Sequence, residues 1–499
     1  MDKKKLLKVF ICLALLFSVS MTGCDKQPVR NTGNKPSKPS ASQRHNSSES
    51  DVNNSGDNTP VSPTNGITHK PDNTIIESTR DTDSADFSYR SEYTEKETSK
   101  IIDTDGCFAY KTNTLDISKG YVIIIPRSDD EALKSAQYFK KYYDKQYSAD
   151  ISVFTDDKPE TVREILIGKT SRRESNGKLQ ENSLSVSVVG KKLVLDGGHN
   201  VTVDSAVKKF IRLLFKTGKV CTFSHETDFS SVMNGYKYVW GDEFEDLSLN
   251  RKKWSLTEPM YGTKILEVAS GKDVIDVGDG RLKLRAVRTF NPNKEGIEYQ
   301  VPFAVSTLYN MNYTYGYVEI RAKVPFKSGA WPGFWTNSTD KLSGRRNPDY
   351  YIEVDVFENM GSIDTLIPAI HTWYKDKHFS TGNNRKVYKF DSVGNLSNEY
   401  HIYGYEWTMD EISMYVDGKK YNTFDITKTF DGNNDLSGFN DAQFLMFTNH
   451  LFVSDSELEY DRVVNRYLPY EFYIDYLRLY QKDGQAVSYT HLTLPTKRI

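Results

Sequence analysis

Three carboxylates sit inside the apolar, β-prone run Tyr351-Ile352-Glu353-Val354-Asp355-Val356-Phe357-Glu358. A strand buried on both faces would carry none, because an unpaired buried charge is costly. The run therefore reads as a strand with two unlike faces. Alternation puts Glu353 and Asp355 on one face and Ile352 and Val354 on the other. Glu358 lies an odd step beyond Asp355 and would point the wrong way in a regular strand. One extra residue, in a β-bulge at Val356-Phe357, returns it to the acidic face. Glu353 and Glu358 are then four strand steps apart, roughly 13 Å between Cα atoms at about 3.3 Å per step, and their side chains can lean together.

The surroundings of this strand have the rhythm of an all-β sandwich or jelly roll. From Tyr236 to Tyr480, short aromatic and β-branched runs alternate with turns such as Gly278-Asp279-Gly280 and Val416-Asp417-Gly418-Lys419. Two curved sheets of this kind leave a concave face able to receive an extended chain. Ahead of the acidic run lies Gly329-Ala330-Trp331-Pro332-Gly333-Phe334-Trp335, and behind it His371-Thr372-Trp373-Tyr374. Indole faces suit the C–H faces of sugar rings, while hydroxyl rims need polar partners. Trp331 and Trp335 are an even step apart and share a face. Trp331 reads as a sugar platform, and Trp335 as either a second platform or core. Trp373 reads as a further platform, and His371 as a substrate contact or a structural hydrogen-bonder.

At these residues the chain resembles the family 16 glycoside hydrolases, β-jelly-roll (concanavalin-like) enzymes that cut internal β-linked glucans and galactans with retention. The acidic run matches the Glu-x-Asp-x-x-Glu signature in the bulged, laminarinase-like form. Supporting matches, in order, are Trp240-Gly241-Asp242-Glu243-Phe244, the segment from Tyr315 to Pro325, Tyr400-His401-Ile402-Tyr403-Gly404-Tyr405-Glu406-Trp407-Thr408 and the segment from Phe472 to Tyr480. The likeness covers residues 236–482. It implies that Glu353 is the nucleophile, Glu358 the acid/base and Asp355 the group that orients the nucleophile. It also implies carboxyls ~5 to 5.5 Å apart, as retention requires, and a raised pKa on Glu358 beside an anionic Glu353. No cofactor is required, but positions resembling a structural calcium site fall on Glu243, the Gly280 carbonyl and Asp475. Oxygen-only ligation suits calcium, although three protein ligands make a sparse site. The bulged signature favours β-1,3 or mixed β-1,3/1,4 glucan. Alternatives are an agarase-like hydrolase of β-linked galactans and a non-catalytic carbohydrate-binding sandwich. The sequence departs from common laminarinases at Pro348-Asp349-Tyr350-Tyr351-Ile352 and at Thr336-Asn337-Ser338, both beside the cleft.

The rest of the chain divides by composition. Its 499 residues exceed one core, and a formal net charge of −2 argues against nucleic acid and for a neutral polysaccharide as partner. Residues 1–24 carry a basic start, a short apolar stretch and Ser20-Met21-Thr22-Gly23-Cys24, which looks like a bacterial lipoprotein signal with Cys24 as the lipidated residue. That pattern implies export and a lipid anchor on the outer face of the cell membrane; an ordinary secretory signal is the alternative. Residues 25–104, rich in Ser, Asn, Thr, Asp, Pro and Lys, read as a disordered tether. Residues 105–230 read as an α/β domain, similar to those preceding hexosaminidase and glucuronidase catalytic domains. Its expected strands are Tyr121 to Pro126, Ile151 to Phe154, Glu164 to Gly168, Leu184 to Val189 and Lys192 to Leu195. One helix starts at Ser128-Asp129-Asp130-Glu131, with Ala132, Leu133, Ala136, Phe139 and Tyr143 on one side. A second runs from Val203 to Phe215. All 6 tryptophans lie from Trp240 onward, so this region reads as a spacer or packing partner rather than a sugar-binding module. Cys107 and Cys221 bracket it, either paired or free. Residues 487–499 resemble translated adapter sequence and receive no role. The molecule is expected to be a monomer.

Overall fold

The computed structural model describes residues 87–89, 100–102 and 109–484, less 176, 226–233, 258–265, 290–298, 339–349, 360–364, 375–376, 382–387, 390–398, 428–438, 440 and 453–467. The expected signal with Cys24, most of the expected tether, Cys107 and the tail therefore lie outside the described residues. Cys221 is buried and free, and burial raises its thiol to about 11.

The α/β region is built on one nine-stranded sheet. Val153–Thr155, at one edge, and then Val122–Ile125, Glu164–Ile167 and Lys192–Gly197 pair in parallel. Leu184–Val189 and Val220–His225 extend it antiparallel. Two helices, Asp130–Tyr147 and Asn200–Thr217, pack together beside it. Asp129 caps the first by accepting from the Ala132 backbone N–H, as the acidic start implies. Ala132, Ala136, Phe139 and Tyr143 are buried, but Leu133 is exposed, one position off the inward stripe.

The second half is a jelly-roll sandwich of a ten-stranded and an eight-stranded sheet. In the eight-stranded sheet, the carboxylate strand Tyr350–Glu358 lies between a tryptophan strand, Ala330–Ser338, and a histidine strand, Thr365–Tyr374. The strand Gln443–Leu451 flanks the tryptophan strand on its other side. Ile352, Val354, Phe357, Phe334 and Phe447 point from this sheet into the main core, where they meet Val318, Ile320, Tyr403, Phe472 and Ile474 of the other sheet. Trp407 is fully buried there, edge-on to Tyr313 and Tyr315. Burying so many large side chains between the sheets fixes the register of each strand, because a slip of one residue would turn its apolar set outward.

The α/β region and the sandwich belong to one compact unit, Asp81–Ile499. Its sequence reading as a packing partner is therefore the one the contacts support. Tyr317, Glu319, Arg321, Tyr476 and Arg478 occupy positions of the ten-stranded sheet that alternate with core residues, and are nevertheless buried. Polar groups of the α/β region reach them: Arg478 donates to the Asn182 carbonyl at 2.7 Å, and the Asn182 amide donates to Glu319 at 3.2 Å.

Candidate active site

The bulge lies where the odd spacing of the acids requires it. Along the tryptophan strand, Phe334 pairs with Phe357 and Trp335 with Asp355, so Val356 is the extra residue. The histidine strand shows the same slip between Asp355 and Glu358. Val356 and Phe357 both join the core, and the alternation resumes with Glu358 on the acidic face. Cross-strand partners fix that face: Glu353 opposes Asn337, Asp355 opposes Trp335 and Glu358 opposes Gly333. Trp331, Gly333, Trp335 and Asn337 are spaced by two and share it with the three acids.

Each acid has a distinct environment. Glu353 is buried and accepts from the Asn337 amide at 3.2 Å. Burial first, then the charges of Asp355 and Glu358, push its carboxyl well above the ordinary range, with the Asn337 bond opposing. The sequence reading did not foresee a raised value on Glu353. Asp355 is buried and lies 3.1 Å from His371 Nε2. Glu358 is half-buried and accepts from the Trp331 indole N–H at 2.7 Å. Three acids on one face therefore hold a proton at a pH where an isolated glutamate would have lost it.

The tryptophans divide as follows. Trp331 stands edge-on to His450 and Phe452, half-buried on the acidic face. Trp335 donates to Thr448 Oγ1 at 3.3 Å and packs against Leu308, Phe444 and Met446, so it shares the face while belonging to a small apolar cluster. Trp373 occupies a strand position opposite Tyr351, and its side chain lies outside the described residues. His371 stands directly across the ladder from Glu353. Glu353, Asp355 and His371 bring one donor atom each within 4.8 Å of one another.

Sequence reasoning missed the strand Gln443–Leu451. Its Thr448 and His450 pair with Gly333 and Trp331 and so share the acidic face. Burial lowers His450 to about 4, keeping it neutral. Thr448 and His450 are spaced by two within the strand, which was the available signal. Gly333 has a steric role on the same face: a Cβ there would stand 2.7 Å from Thr448 Oγ1 and 3.3 Å from the Trp335 ring. Its missing side chain leaves room opposite Glu358.

The positions expected to hold calcium do not fit the ion. Asp475 meets Lys209 Nζ at 2.8 Å and Arg321 Nη1 at 3.3 Å, one on each carboxylate oxygen. Glu243 accepts from Arg478 with both oxygens, at 2.7 and 2.9 Å. At Gly280 a Cβ would lie 2.1 Å from Arg212 Nη1. Cationic side chains thus occupy the acids that a hard oxygen-seeking cation would need, and no ligand set remains.

A jelly roll with three carboxylates on one face of a bulged strand is the arrangement that the resemblance to glycoside hydrolases implies. Residues 239–482 match the sequence profile described as "Beta-porphyranase A-D, GH16 domain", and this segment is a family 16 domain. Among curated relatives, a glucan endo-1,3-beta-glucosidase A1 of Niallia circulans is 24% identical over 272 residues, covering 50% of this chain and 38% of that protein. An endo-1,3-1,4-beta-glycanase, ExsH, of Rhizobium meliloti is 30% identical over 210 residues, covering 39% and 40%. A beta-glucanase of Rhodothermus marinus is 25% identical over 266 residues, covering 51% and 88%. The chain thus spans 38% and 40% of the lengths of the first two.

Proposed function

We propose that the protein is a retaining endo-β-glycosidase that hydrolyses internal β-1,3 or mixed β-1,3/1,4 linkages of a neutral glucan. The observation that carries this reading is the bulge at Val356-Phe357, which sets Glu353, Asp355 and Glu358 on one face. Glu353 attacks the anomeric carbon as Glu358 gives its proton to the departing glycosidic oxygen. The glycosyl-enzyme ester is then cleaved by water, from which Glu358 takes a proton, restoring both carboxyls. Attack requires Glu353 to be ionised, so the cluster's proton must reside on Glu358 when substrate is bound. The Asn337 bond to Glu353 favours that distribution, against the deeper burial of Glu353. Asp355 and His371 orient the nucleophile, and Trp331, Trp335 and Trp373 carry the sugar rings. Calcium has no part in this scheme.

A galactan is the second reading, favoured by the porphyranase description of the matching profile. The N-terminal pattern supports export and anchoring through a lipid on Cys24. The chain acts as a monomer on polysaccharide, without nucleic acid. Product analysis on laminarin, lichenan, agarose, porphyran and xyloglucan tests the substrate. Short oligosaccharides from laminarin or lichenan support the glucanase; release from agarose or porphyran alone transfers the reading to galactans. Binding without cleavage of any of them would leave only a carbohydrate-binding sandwich.

A further inference from the structure

Behind His371 stands a second histidine. His378, on the strand Lys377–Ser380, opposes Trp373 in the ladder and so shares a face with His371. Its Nε2 lies 2.9 Å from His371 Nδ1. The two ring planes are 6° apart, with centroids separated by 5.1 Å. That separation is about the nitrogen contact plus two ring radii, so the imidazoles lie edge to edge in nearly one plane. This is the arrangement of an in-plane N–H···N bond rather than of face-to-face stacking. The far nitrogen of His371, Nε2, is the one 3.1 Å from Asp355. Three side chains thus run in line from His378 through His371 to the acid between Glu353 and Glu358.

An imidazole nitrogen against a carboxylate attracts it only if that nitrogen carries the proton. Which nitrogen does so is set by the partner of the other. Burial, and then the neighbouring His371, lower His378 to about 4, so near neutrality it is uncharged and has a single N–H to give. We propose that His378 is a positioning residue: it donates its Nε2–H to His371 Nδ1 and thereby holds the protonated Nε2 of His371 against Asp355. Without it, His371 is free to carry its proton on Nδ1, which sets an acceptor nitrogen against an acid that needs a donor. The catalytic consequence of this arrangement rests on the glycosidase reading above, because Asp355 orients the nucleophile only in that scheme.

The test uses the full chain labelled with ¹⁵N-histidine. Two-bond ¹H–¹⁵N spectra of the resting protein should show His371 protonated at Nε2, and His378→Phe should move proton density to its Nδ1. In turnover, His378→Phe should lower kcat about tenfold, the scale expected when a reacting group is misplaced, while KM and the melting temperature stay close to wild type. His378→Gln, whose amide N–H can reach the same nitrogen, should recover most of the loss. An unprotonated His371 Nε2 in the wild type overturns the proposal, as does a Phe variant with unchanged tautomer and unchanged kcat. Should the Phe variant fail to fold, the wild-type spectrum and the Gln variant still decide. If the wild type cleaves no glycan, the glycosidase reading fails while the spectrum still decides the placement of His371.

Discussion

Glu353 carries two opposed demands at the scale of a single residue. Attack requires its charge, yet burial and two neighbouring acids favour its neutral form. Because its folded pKa is raised above the ordinary value of 4.5, the folded protein binds more protons than the unfolded chain between that value and the raised one. Stability contributed by this group is therefore full below pH 4.5 and falls as pH rises through the folded pKa. Glu353→Gln should abolish turnover and raise the melting temperature at pH 8, with a smaller gain at pH 4; thermal denaturation at the two values measures this. An equal gain at both would mean that the acid is not strained by ionisation. The indole N–H of Trp331 makes a comparable single-residue contribution at Glu358. Trp331→Phe keeps most of the ring surface and removes that donor. It should lower kcat on polymer by about tenfold, the cost of about one charge-assisted hydrogen bond; unchanged kcat would assign Trp331 to sugar stacking alone.

At the scale of the element, the bulge that absorbs Val356 decides on which side of the carboxylate strand Glu358 emerges. Deleting Val356 should leave Glu358 two residues beyond Asp355, so that strict alternation alone keeps it on the acidic face, with Phe357 taking the one core position between them. The deletion should therefore retain hydrolysis while lowering stability by about 1.5–3 kcal/mol, the burial of one valine side chain, as read by denaturant unfolding. A folded variant without activity would show that the bulge sets the spacing of the carboxyls as well as their face. The bulge was legible in the sequence because three carboxylates at odd and even spacing cannot share a regular strand. The tryptophan strand was legible because two indoles at an even step imply a common face. Thr448 and His450 were not, since they follow the apolar run Phe444 to Phe447 in a strand carrying no acid, and only register places them beside Gly333 and Trp331. Asn337 was seen as part of a departure from common laminarinases, but its bond to Glu353 depends on pairing between strands.

At the scale of the whole molecule, the α/β region supplies charge to the ten-stranded sheet of the sandwich. Lys209, fully buried on the second helix, bridges Asp475 and Glu245, while Arg212 adds a 2.6 Å contact to Glu245. In sequence Lys209 reads as an ordinary helix-surface cation. Its partner Asp475 is 266 residues away, a pairing that no local pattern encodes. Burial pushes Asp475 upward, but Lys209 and Arg321 outweigh it and hold the carboxyl at about 2. Its contribution is present above the ordinary value of 3.8 and is lost as pH falls toward 2. Lys209→Met should cost about 3–5 kcal/mol, since it leaves Asp475 and Glu245 buried with one cation fewer, and should flatten acid unfolding in that window. Wild-type stability should not change with chelator or added calcium. Calorimetry in either medium checks this, and a calcium-dependent rise would restore the ion to the site.

The account depends on Glu353 and Glu358 acting together across one sugar from a common face, and the stereochemistry of the first product reports that most directly. Proton NMR of a glucan digest in its first minutes, before mutarotation, should show the β-anomer of the new reducing end accumulating ahead of the α-anomer. An α-anomer appearing first would mean direct attack by water, and would contradict the assignment of Glu353 as nucleophile.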